Sequence, residues 1–149
     1  MARTKPDVRA LVGQIPDVDT PGRESKFTGP DPKVADDIFE GITAGGRESL
    51  LELIAMLRGP DDPEYADHRP VYVLHGLAVY VGRPDKKHLR KMFAEALASQ
   101  LQNAKLSKWT KGFLIRELQV AGGKEVVKSL GRMVSDEDLC EYAAQALVA

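Results

Sequence analysis

The sequence predicts an all-α protein, an α-solenoid of about three and a half stacked helical hairpins behind an extended leader. Three observations carry this. Apolar residues recur at helical spacing through most of the chain after residue 30, and glycine or proline pairs interrupt that pattern at short intervals. The interrupted pattern also repeats: first helices of successive pairs begin near residues 33, 70, 107 and 136, spacings of roughly 37, 37 and 29, within the 20–50 range of solenoid repeats. A helix with one apolar face needs a neighbour, and stacked hairpins supply one.

Residues 1–30 form the leader, and residues 31–149 the helical repeat domain. The leader carries Pro6, Pro16, Pro21 and Pro30 among glycines and charges, with only Ala10-Leu11-Val12 as an apolar cluster, so regular structure is not expected there. It is either a disordered tail or a strap along the helices, with Ile15 and Val18 docked on an apolar groove. At Asp31-Pro32 an acidic cap precedes a proline with its φ already set, and Val34, Ala35, Ile38, Phe39 and Ile42 follow on one face. Gly45-Gly46 ends that helix; Leu50, Leu53, Ile54 and Leu57 define the next, which stops at Gly59-Pro60.

The segment 71–81 suits two structures. Val71, Val73, Val79, Val81 and two tyrosines favour strands, whereas Val71, Leu74, Leu77, Ala78 and Val81 fall on one helical face. A lone hairpin among helices would leave open edges, so the expectation is a helix, almost wholly apolar and covered on several sides. After Arg83-Pro84-Asp85 comes the longest stripe, Leu89, Met92, Phe93, Ala96, Leu97, Leu101 and Ala104, ending from Asn103 to Ser107. Ser107 is placed to cap a helix that buries Trp109, Phe113, Leu114, Leu118 and Ala121 up to the Gly122-Gly123 turn. Val126, Val127, Leu130, Met133 and Val134 form a shorter stripe. Ser135 to Asp138 then has the form of a capping box, and Leu139, Ala143, Ala146 and Leu147 mark the last helix, with Cys140 beside that face. That helix lacks a partner, so its face is expected to be partly open unless the leader or a second copy, as a homodimer, covers it.

The final segment, from Val120 to Ala149, resembles the HEAT repeat in the short HEAT-like form named after phycobilisome lyases. Gly122-Gly123, Val126, Val127, Leu130, Asp136, Ala143, Ala144, Ala146 and Leu147 occupy the places of that pattern, while Glu141-Tyr142 stand where many such repeats carry an arginine. The resemblance implies a right-handed α-solenoid used for protein binding or scaffolding, and it does not by itself imply lyase activity.

The 149 residues suffice for a single core without staples, and a net charge of −1 argues against a wholesale nucleic-acid or membrane binder. A lone cysteine and an N-terminus without the apolar run of a signal peptide point to the cytoplasm. No cofactor or metal is expected: His68, His75 and His88 lack ligand spacing, and neither glycine pair precedes Lys-Ser/Thr as in a phosphate loop. His75 reads as a buried, hydrogen-bonded residue and Cys140 as a small buried hydrophobe.

The strongest surface feature is residues 83–116. Nine cations, the candidate partner-binding residues Arg83, Lys86, Lys87, Arg90, Lys91, Lys108 and Lys111 together with Lys105 and Arg116, face only Asp85 and Glu95. The plain reading is a solvated surface balanced by acidic segments elsewhere; the functional one is an anionic partner. The expected function is non-enzymatic: binding of another protein, or another domain of the same parent protein, by apolar anchors in a groove with the cations steering an acidic partner. The alternative is a HEAT-like nucleic-acid binder using the basic region, including a DNA-repair role, and a bilin lyase-like enzyme ranks last.

Overall fold

A computed structural model describes residues 4–16 and 29–149. All regular structure among them is helical: α1 (Val8–Gly13), α2 (Pro32–Ala44), α3 (Gly46–Ala55), α4 (His68–Val81), α5 (Lys87–Gln100), α6 (Lys108–Ala121), α7 (Val127–Met133) and α8 (Cys140–Val148). Short 3-10 turns, Pro84–Lys86 and Lys124–Val126, lead into α5 and α7. No helix among the described residues is long and apolar enough to cross a membrane.

Helix starts follow the expected chemistry at two places. The Asp31 carboxylate accepts the Lys33 N–H at 2.8 Å with Pro32 in the first turn, and the Ser107 hydroxyl accepts the Thr110 N–H at 3.1 Å. The expected capping box fails. Asp136 instead folds onto its own turn, accepting the Asp138 N–H at 3.0 Å, and α8 starts only at Cys140 without a side-chain cap. Asn103 acts similarly at the end of α5: its side chain accepts the Lys105 N–H at 3.0 Å, the helix stops at Gln100, and Ala104 is exposed rather than part of the stripe. Val127 and Val134 also lie outside the core, because Val126, Leu130 and Met133 set the buried phase of α7 and its approach.

The leader departs from expectation as well. Asp7 caps α1 by accepting the Ala10 N–H at 3.0 Å, and Val8, Val12 and Ile15 are buried where α1 meets α2, α3 and α4. Six residues cannot hold a helix alone in water, so this one exists by tertiary contact. Arg69 Nε fixes its end by donating to the Ile15 carbonyl at 2.8 Å. Ile15 thus docks as anticipated, whereas Val18 lies outside the described residues.

The segment 71–81 is helical, and α4 packs against α1, α2, α3, α5 and α6. Val73, Leu74, Leu77, Ala78, Tyr80 and Val81 are buried, the aliphatic ones contributing on the order of 1.5–3 kcal/mol each. Around it the helices form two rows. In one, α2 packs on α4, α4 on α6 and α6 on α8; in the other, α3 packs on α5 and α5 on α7. Gly76 allows the close approach of α2 to α4, since a Cβ there would lie 2.3 Å from Phe39 Cζ.

A buried carboxylate ties the α3–α4 connection. One oxygen of Asp67, Oδ2, accepts the backbone N–H groups of both Arg58 and Gly59 at 2.9 Å, while Gly59 takes the left-handed φ of +84°. Because both amides share one oxygen, Asp67→Asn keeps an acceptor for them and Asp67→Ala does not. Urea denaturation should show a loss of about 2–3 kcal/mol for Asp67→Ala and a clearly smaller loss for Asp67→Asn.

Candidate functional site

At the end of the first row, α6 and α8 carry groove-lining residues beside the stripe each buries. On α6 the core takes Leu114, Leu118 and Ala121, and residues Phe113, Arg116, Glu117 and Val120 line a surface groove. On α8 and the turn before it the core takes Leu139 and Ala143, and Asp138 of the turn with Glu141, Tyr142 and Gln145 of the helix lines the same groove. The α6 stripe follows i, i+3, i+4, i+7, the spacing of one helical face; on α8 Glu141 and Tyr142 stand four and three residues before Gln145, and Asp138 joins them from the preceding turn. The groove has a volume of 790 Å³, and His75 of α4 closes its third side. His75 also borders a smaller depression of 370 Å³ between α2 and α4, lined by Pro32, Phe39, Tyr72 and Val79.

Glu117 forms the groove's most unusual wall. Its side chain is only 5% exposed, and its two oxygens lie 3.2 and 3.0 Å from His75 Nδ1. Desolvation raises its pKa above the ordinary carboxylate value of 4.5, and the His75 hydrogen bond opposes that shift without cancelling it. His75 itself is 59% exposed, so the expected buried histidine is corrected: the carboxylate is the buried member, and the imidazole covers it from the solvent side. Glu117 occupies a core-facing phase between Leu114 and Ala121, and that acid within an apolar period was the available sign in the sequence.

Aromatic and charged groups complete the groove. Arg116 lies over the Tyr142 ring, 4.8 Å from its centroid, and donates to the Tyr142 hydroxyl at 3.3 Å. Phe113 stacks on Trp109 at 5.9 Å, and Tyr65 meets Trp109 edge-on at 6.2 Å. Cys140 also lines the groove, and it is half-buried rather than fully enclosed, with its Sγ 3.7 Å from the Glu137 carbonyl. No group of three or more metal-ligating side chains occurs among the described residues.

The basic residues do not gather into this groove. Arg83 holds Asp36 with two bonds, at 3.1 and 3.0 Å, and lies over the Tyr80 ring at 5.0 Å. Lys86 sits over the same ring at 5.3 Å. Arg90 bridges the end of α6 to the following turn, donating to the Ala121 carbonyl at 3.0 Å and to Glu125 Oε1 at 2.6 Å. Lys91 pairs with Glu95 at 3.8 Å along its own helix, and Lys108 pairs with Asp136. Among the described residues only Lys87 and Lys111 of the seven candidates have no acidic partner, and they stand on different helices. Intramolecular pairing accounts for much of the dispersal: Arg83, Arg90 and Lys108 each close a joint between elements. Hydrogen bonds from Arg83, Arg90 and Lys108 hold Asp36, Glu125 and Asp136 below their ordinary pKa values.

Comparison of the chain with protein-family models, with curated proteins and with solved structures finds no match in any of the three.

The shifts separate by pH. Stabilisation by Asp36, Glu125 and Asp136 is complete above their ordinary values and is lost as pH falls toward the lowered ones. Glu117 has the opposite sign: folded protein binds its proton more tightly than unfolded, so stability falls as pH rises from 4.5 through the raised value. Glu117→Gln removes this slope. Across that window the urea midpoint of Glu117→Gln should rise relative to wild type and then level off; a constant difference would contradict the assignment.

Proposed function

We propose that this chain is a HEAT-like α-solenoid that binds a segment of another protein in the α4–α6–α8 groove and is not itself an enzyme. The observation that carries the reading is the second stripe on α6 and α8, which lines an open groove and is covered by α4 only where His75 lies over Glu117. Two packed rows, α2–α4–α6–α8 and α3–α5–α7, fit stacked hairpins in which each pair buries its apolar face on the next. The groove offers what a peptide needs: Phe113 and Tyr142 as half-buried aromatic anchors, exposed Val120 at the edge, and polar groups around them. Val79, exposed beside His75, extends the apolar surface into the neighbouring depression.

This reading places recognition on the groove and gives Arg83, Arg90 and Lys108 structural work. The nucleic-acid alternative instead needs the 83–116 cations to act together, and their separate pairings favour it less.

Panning a random 16-residue peptide library against the purified full chain tests the proposal. Binders should emerge whose affinity falls at least about tenfold with Phe113→Ala or Val120→Asp, and changes less than twofold with Lys87→Glu plus Lys111→Glu. Failure to enrich any peptide, or binders sensitive only to the lysine variant, would overturn it.

A further inference from the structure

The charge around the groove identifies the chemistry of its occupant. Four acidic residues line it, Glu117, Glu137, Asp138 and Glu141, against a single permanent cation, Arg116. Arg116 offsets them only in part: its guanidinium is turned onto the Tyr142 ring and hydroxyl, and it acts on Glu117 through space without an ion pair. Among the described residues Glu137, Asp138 and Glu141 make no ion pair, and Glu141 has only a 3.4 Å hydrogen bond from Gln145. Glu117, almost wholly buried, has the exposed His75 imidazole as its hydrogen-bond partner and the Arg116 charge nearby, and together they do not offset its desolvation. A carboxylate only partly compensated in such a wall gains from an arriving cation. The aromatic rings beside it suit the same ligand, because a lysine or arginine lays its alkyl stem on an apolar surface and its charge over a ring face. The Arg116–Tyr142 stack already displays that contact within the chain.

We infer that the α4–α6–α8 groove selects a basic segment of its protein partner, receiving a lysine or arginine side chain between the carboxylates of Glu117, Asp138 and Glu141 and the rings of Phe113 and Tyr142. This is the opposite complement to the acidic partner suggested by the composition of residues 83–116. The inference rests on the proposed protein-binding role and narrows it. Glu137, Asp138 and Glu141 steer the approach, and Glu117 rewards the cation that reaches the wall.

Three fluorescent peptide pools test this. They share one random mixture of apolar and aromatic positions and differ only in whether alternate positions are lysine, glutamine or glutamate. Each is titrated with the full chain at about 50 and 150 mM salt, where surface charges are screened to different degrees. The lysine pool should bind at least about tenfold more tightly than the glutamine pool at the lower salt, as expected for several weak exposed pairs acting together. The gap should shrink to less than about threefold in Glu137→Gln plus Asp138→Asn plus Glu141→Gln, which removes only surface charges. Equal binding of lysine and glutamine pools, with sensitivity to Phe113→Ala retained, would overturn the cation inference and leave protein binding standing. Tighter binding of the glutamate pool, or of duplex DNA added as a competitor, would also overturn it. Binding of none of the pools would overturn both readings.

Discussion

The architecture depends on covering one helix. Along α4 from Pro70 to Val81, only His75 and the two tyrosine hydroxyls offer polar side-chain groups, so most of its circumference must be shielded from water, and only the side carrying His75 and Val79 stays open. Five other helices supply that shield, α1 among them, and this explains why a short proline-flanked segment near the N-terminus becomes ordered. Around α4, α2 and α6 lie on either side in one row, and α3 and α5 lie against it in the other. The remaining helices extend the rows by the same device, each burying one stripe on its predecessor.

A helix in such a row has two obligations, and the second creates the groove. Burial against the neighbouring row fixes one stripe; the side facing away is free to carry other chemistry. On α6 that freedom is used for Phe113, Arg116, Glu117 and Val120, and on α8 for Asp138, Glu141, Tyr142 and Gln145. Glu117 lies where the two obligations meet. It is buried like a core residue yet faces the groove, and the resulting desolvation keeps it receptive to a proton or a cation.

Much of the fold was legible because burial has a period. The stripes on α2, α3 and most of α5 and α6 match the buried residues, and the apolar helix 71–81 was recovered by arguing about its surroundings rather than its propensity. Local chemistry misled where a short polar side chain had a choice: Asp136 and Asn103 each bonded within their own turns, shifting a helix start and a helix end. Tertiary contact overrode composition in α1, where prolines and charges concealed Val8, Val12 and Ile15. The site was less legible. A run of cations in sequence spreads over several joints in space, where Arg83, Arg90 and Lys108 take carboxylates of other elements; the acids of the groove come from α6 and from the turn and helix of α8, which only packing brings together.

If each helix is held by its neighbours along two rows, opening should begin where a helix has fewest of them, and α4 should be the last to open. Native-state hydrogen exchange resolved by residue measures this directly. The account predicts that amides of residues 73–81 exchange only through global unfolding, while those of α8 exchange at least about tenfold faster through a smaller opening. Equal protection of α4 and α8, or exchange of α4 through the more frequent opening, would contradict an architecture organised around the covered helix.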